Sequence, residues 1–83
     1  MLNIEIISPE KSLFEGECEM VQVPGAKGSF QILNMHAPII STLVKGNIRI
    51  RTSGTKQVKS WEIDSGVVEC HDNKIIILVE AAA

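Results

Sequence analysis

Gly46-Asn47-Ile48-Arg49-Ile50-Arg51, a turn at Ser53-Gly54, and the return Gln57-Val58-Lys59-Ser60-Trp61-Glu62-Ile63 decide the class of this chain. Ile48 and Ile50 alternate with Arg49 and Arg51, the period-two pattern of a strand with one face in a core, and the turn brings the second arm back as a hairpin. Downstream, Asp64-Ser65-Gly66 is expected to turn the chain, Val67 to Cys70 to form a strand, and His71-Asp72-Asn73-Lys74 a loop. Ile75 to Val79 is a nearly continuous apolar run, as in a strand covered on both faces. Upstream, a turn at Lys45-Gly46-Asn47 follows a strand over Ile39 to Val44, and Leu33-Asn34-Met35-His36-Ala37-Pro38 breaks the pattern after a short strand at Phe30-Gln31-Ile32. Pro24-Gly25-Ala26-Lys27-Gly28 has the chemistry of a turn, with positive φ open to both glycines and the proline's φ fixed. Cys18 to Val23 and Leu13-Phe14 read as strands joined by a bulge at Gly16. Leu2, Ile4 and Ile6 alternate with Asn3 and Glu5 until Ser8-Pro9 stops the ladder.

No window of a dozen residues keeps the helical spacing of three and four. The expectation is therefore an all-β protein, a flattened antiparallel sandwich or barrel of about eight to ten short strands over residues 1–80. Residues 81–83 are left as a short alanine tail, frayed or beginning a helix.

Length and charge narrow the function. With 83 residues there is room for one core. A chain of this size buries only about 60% of its unfolded surface, so dependence on a partner is plausible. Eight basic against ten acidic residues, and only Phe14, Phe30 and Trp61 as aromatics, offer neither the basic face nor the stacking platform that nucleic acid needs. No stretch approaches the ~20 apolar residues of a spanning helix, and the opening lacks the pattern of an export signal, so an intracellular protein is expected. Cys18 and Cys70 lie inside apolar runs without a CxxC partner and are expected as reduced core thiols. His36, His71, Cys18 and Cys70 are too scattered for a metal site of known spacing. The turn from Gly25 to Ser29 lacks the spacing of a phosphate loop and no helix follows it, so no cofactor is assigned.

Gly25-Ala26-Lys27-Gly28-Ser29-Phe30-Gln31-Ile32-Leu33-Asn34-Met35-His36-Ala37-Pro38-Ile39-Ile40 resembles the signature of the epsilon subunit family of F-type ATP synthases, a glycine turn followed by GE(L/F)GILPNHAPL. The likeness continues at Leu43-Val44-Lys45-Gly46, at Ser65-Gly66-Val67-Val68-Glu69-Cys70 and at Asn73-Lys74-Ile75-Ile76-Ile77-Leu78-Val79-Glu80. It includes the opening Ile6-Ile7-Ser8-Pro9-Glu10 and Leu13-Phe14-Glu15-Gly16, so it spans almost the whole chain in order. Ser29 stands where the family usually has glutamate, Gln31 where it has glycine, and Met35 where it has asparagine or glycine.

The resemblance implies a non-catalytic subunit of the central stalk that couples the gamma subunit to the ring of c subunits during rotary ATP synthesis. It would sit peripherally at the cytoplasmic face of a bacterial membrane, touching the membrane only through the ring. By position the ring-facing candidates are Ser29, Phe30, Gln31, Asn34, Met35, His36, Ala37 and Pro38, with a purely local capping role for His36 as the alternative. Leu13, Phe14, Ile40 and Leu43 are the gamma-facing candidates, with plain core as theirs. The family's C-terminal helical hairpin, with its inhibitory role, has no counterpart before Ala83, and a naturally short subunit is expected. The rival from another class is a biotinyl or lipoyl carrier domain with Lys27 on its exposed turn, although no flanking methionine or Asp-Lys pair supports it.

Overall fold

Alternating apolar residues become seven strands in the computed structural model, which describes residues 1–52, 54 and 57–82. They are β1 (Leu2–Ile7), β2 (Ser12–Gly25), β3 (Gly28–Leu33), β4 (Ile39–Leu43), β5 (Gly46–Thr52), β6 (Val58–His71) and β7 (Lys74–Ala82). No helix occurs among the described residues, and the molecule measures 29 × 23 × 19 Å.

The expected eight to ten short strands are fewer and longer here, because two segments run straight through features that look like breaks in the sequence. β2 and β6 are each 14 residues long. β2 continues past Gly16, and its register shift falls between Cys18 and Met20, which leaves Glu19 as the bulged residue. β6 continues through Asp64-Ser65-Gly66 because that stretch is a change of partner and not a reversal. Val58–Ile63 pairs with β5, and Gly66–Cys70 pairs with β4. β2 divides in the same way, its first half on β1 and its second on β5 and β3. Long strands that pass from one layer to the other are how a sandwich turns its corners.

The pairings β1–β2, β2–β5, β5–β6, β6–β7 and β7–β1 close on themselves, with β3 added to β2 and β4 added to β6. Closure leaves little open edge for unwanted pairing. One contact departs from the antiparallel expectation, since β1 and β7 run parallel from Asn3↔Lys74 to Ile7↔Leu78. The two lie at opposite ends of the chain, so the whole intervening fold serves as the long connection a parallel pair requires. Ala81 and Ala82 extend β7, with Ala82 opposite Ile63, in place of the frayed or helical tail expected there. Ala83 lies outside the described residues, as do Thr55, Lys56 and Ser53, the last of these where the sequence predicts a turn with Gly54.

Inside the closed sheet lie Leu2, Ile4, Ile6, Val21, Val23, Ile32, Leu43, Ile48, Ile50, Ile63, Val68, Ile75, Ile77 and Val79, with no buried charged side chain among the described residues. Cys18 and Cys70 share this core as free thiols. Burial pushes Cys18 up to about 11 and raises Cys70 as well, because a thiolate loses hydration there. Both thiols are therefore poor nucleophiles.

Gly66 marks the tightest point of the corner in β6. A Cβ there would lie 2.5 Å from the Leu78 carbonyl oxygen, a backbone atom of the neighbouring strand, whereas one at Gly16 would meet only the Phe14 ring at 3.4 Å. Gly66→Ala should consequently destabilise the protein by about 1–3 kcal/mol, the usual range for overpacking, while Gly16→Ala should change stability by less than about 1 kcal/mol. Urea unfolding of the two variants checks this, and equal midpoints would refute the corner constraint.

Candidate functional site

Burial along β7 alternates strictly. Ile75, Ile77 and Val79 point into the core, and Ile76, Leu78 and the flanking Lys74 and Glu80 point out. The run read as covered on both faces is covered on one. Cross-strand register carries the same outward face over its neighbours, since residues paired across a ladder project to the same side. One row runs Thr42, Val67, Leu78, Ile7 across β4, β6, β7 and β1. The next runs Ile40, Glu69, Ile76, Glu5 and on to Glu15 of β2. Ile40 is 74% exposed, Leu78 53%, Ile76 42% and Val67 41%. A groove of about 640 Å³ beside this strip is lined by Ile7, Pro9, Thr42, Val67 and Leu78 among others. Interaction sites commonly use contiguous exposed apolar surface of this kind.

Of the four residues expected to face gamma, only Ile40 lies on this strip. Leu43 is 1% exposed and belongs to the core, because β4 alternates and Leu43 falls on its inner side, opposite Gly66. Leu13 and Phe14 are half-buried against the core at the irregularity where Ile7 pairs with Ser12 and Ile6 with Phe14. The Phe14 ring lies 5.4 Å from that of Trp61, and Lys59 Nζ sits 5.1 Å from its centroid. Val67, Ile76, Leu78 and Ile7 share the strip with Ile40 and are not among the residues expected there. Their signal in the sequence is the apolar run itself, too long for one-sided burial.

The eight ring-facing candidates are strung along β3 and the loop that follows it. Ser29 and Gln31 project outward and are exposed, while Phe30 is half-buried against the core. The Ser29 hydroxyl donates to the Val23 carbonyl at 3.2 Å and accepts from Gln22 Nε2 at 3.1 Å, tying it to β2. Asn34, Met35, Ala37 and Pro38 are exposed and His36 is half-buried. The His36 backbone N–H donates to the Leu33 carbonyl at 3.2 Å, and its ring Nδ1 lies 2.6 Å from the Ala37 carbonyl oxygen, so the expected local role is occupied. Ser29 and Leu33 lie four positions apart on extended β3, about 13 Å, and Asn34 and Met35 turn beyond it, so these candidates form a side and a tip and not one spot.

Among the described residues no group of three His, Cys, Asp or Glu side chains is placed to hold a metal ion. His71 lies 3.7 Å from Glu69 and 3.4 Å from Asp72 on exposed surface, where such pairs contribute little.

A closed all-β sandwich with a strip of exposed aliphatic side chains on one side is the class of protein these residues define. The match to known families makes it specific: residues 1–83 fit the family described as ATP synthase, Delta/Epsilon chain, beta-sandwich domain, and the chain belongs to that family. It is 40% identical over 82 residues to the ATP synthase epsilon chain of Leptospira borgpetersenii, covering 99% of this chain and 63% of that protein. Against the ATP synthase epsilon chain of Caulobacter vibrioides it is 37% identical over 81 residues, covering 98% of this chain and 92% of the relative. A chain in the central stalk and c-ring structure of the Tetrahymena thermophila mitochondrial ATP synthase superposes with a TM-score of 0.81 at 25% identity, covering 99% of this chain and 65% of that one. One from the Euglena gracilis mitochondrial enzyme shares the fold, with a TM-score of 0.90 at 14% identity over 99% of this chain and 52% of that one. Family membership sets aside the carrier-domain alternative at Lys27.

Burial separates Leu43 from Leu78. Leu43→Ala should cost about 2–5 kcal/mol as a core cavity, whereas Leu78→Ser should cost less than about 1 kcal/mol on an open face. Thermal unfolding of both variants measures the difference, and a costly Leu78→Ser would mean that the strip is already covered.

Proposed function

We propose that this domain is a coupling piece of the central stalk of an F-type ATP synthase, gripping the gamma subunit through the Ile7–Ile40–Val67–Ile76–Leu78 face and meeting the c-subunit ring along β3 and the 34–38 loop. The one-sided burial of β7 carries the reading, since it leaves a strip of aliphatic side chains of the kind a partner covers. Family membership and the likeness to a central-stalk and c-ring structure support the same partners. Glu69, between Ile40 and Ile76, sets one carboxylate within the face, and Glu5 and Glu15, beyond Ile76 in the same row and directly opposite one another, give it a carboxylate border. A partner that brings cations to that border would offset the like-charge pair and fix orientation.

On this reading the domain performs no reaction. A closed sheet is stiff, and its exposed residues sit on a rigid frame, which suits transmission of torque between two partners. The domain would work at the surface of the bacterial cell membrane on the cytoplasmic side, touching lipid only through the ring.

Leu78→Glu should weaken binding to purified gamma by about 30-fold or more, the scale of an interface hot spot, without altering the melting temperature. Cysteines placed at Ser29 and Gln31 should cross-link to a c subunit in assembled membranes, and one at Glu10, in the β1–β2 connection and outside the ladder of β3, should not. Unchanged affinity of the Leu78→Glu protein would remove the docking face, and equal labelling at Glu10 would remove the β3 contact.

A further inference from the structure

At the tip beside the proposed ring contact, Met35 adopts φ 63°, a left-handed conformation that a non-glycine residue holds only when its surroundings enforce it. The enforcing group comes from a hairpin 38 residues away. Asn73 Oδ1 accepts the Met35 backbone N–H at 2.7 Å, and Asn73 Nδ2 donates to Asn34 Oδ1 at 2.9 Å and lies 3.5 Å from Met35 Sδ. The Asn73 backbone carbonyl accepts the Asn3 N–H at 2.9 Å, which fixes Asn73 itself to the start of β1. Its own conformation is left-handed, φ 59° after Asp72 at 50°, the two central residues of the tight turn in which His71 pairs with Lys74. One side chain thus joins the β6–β7 turn, the head of β1 and the exposed tip at 34–38. The other backbone hydrogen bond to this tip is the longer one from the His36 N–H to Leu33.

We propose that Asn73 is a positioning residue for the rotor contact: it holds the strained Asn34-Met35-His36 tip in one conformation, so that Met35, 79% exposed, is presented ready-formed to its partner. This rests on the reading of that loop as a contact surface. Preorganisation matters because a tip ordered only on binding loses affinity to the cost of ordering it. No other residue type would serve as well, since the position needs an acceptor for a backbone N–H, a donor for Asn34 and tolerance of positive φ, and asparagine combines all three.

Two variants isolate the side chain from the turn. Asn73→Gly keeps the left-handed position, and Asp-Gly is itself a favoured pair for a two-residue hairpin, so the sheet should survive intact. Asn73→Asp keeps the acceptor for Met35 and tolerates the same φ. Amide exchange followed by NMR on the intact chain should show the Met35 N–H exchanging at least tenfold faster in Asn73→Gly and within threefold of wild type in Asn73→Asp. Affinity for a rotor assembly of gamma and c ring should fall at least fivefold in Asn73→Gly and recover in Asn73→Asp. Met35 exchange that stays within threefold of wild type in Asn73→Gly, or equal acceleration throughout the β6–β7 ladder, overturns the positioning role. A loosened tip with undiminished affinity overturns the contact role of the loop instead. That failure differs from one of the docking face, which Leu78→Glu reports separately.

Discussion

Backbone pairing by two strands that change partners halfway is the constraint on which the rest depends. β2 and β6 each hold one neighbour with their first half and others with their second, and between them they contact every other strand of the sheet. Their bends place the alternate residues of both layers in one core. Gly66 permits the bend in β6 because nothing larger fits against the Leu78 carbonyl. The Glu19 bulge lets β2 change register between β1 and β5 without turning its apolar residues outward.

A closed sheet of this size has an inside and an outside, and the sequence supplies more aliphatic side chains than the inside accepts. β5 shows the ordinary solution, with Ile48 and Ile50 in the core and Arg49 and Arg51 in water. β7 differs only in its outward residues, where Ile76 and Leu78 stand in place of charges. Burying both against a partner would be worth about 1.5–3 kcal/mol each at full coverage. Asymmetry between two otherwise similar strands therefore distinguishes the proposed docking side of the molecule from its charged side.

Much of this was legible in the sequence. Period two announced the class, and the hairpin from Gly46 to Ile63 is paired as the alternation required. Strand number was not legible, because Gly16 and Asp64-Ser65-Gly66 have turn chemistry yet lie inside long strands. A glycine that permits close approach and one that permits reversal look alike until the neighbouring strand is known. The position of the exposed strip was not legible for a related reason. Leu43 and Leu78 are equally apolar, and only the register of β4 and β7 sends one inward and the other out. Asn73 carried no signal beyond turn propensity, since its hydrogen bonds reach residues 38 and 39 positions away.

The two proposed contacts differ in how they are held, and the difference follows from the backbone. Side chains on the β4–β6–β7–β1 face inherit the rigidity of the ladder, each strand being fixed on both sides or closed by the core beneath it. β3 is paired only to β2, and the loop after it has no ladder at all. An exposed tip with a left-handed non-glycine residue would be expected to sample several conformations. In place of ladder bonds it has the Asn73 amide, anchored through its own carbonyl to Asn3 and through the tight turn to β6 and β7. A coupling element must keep both contacts in fixed relation while force passes between them, and a single amide that ties the free loop to three strands supplies that relation where the sheet does not reach.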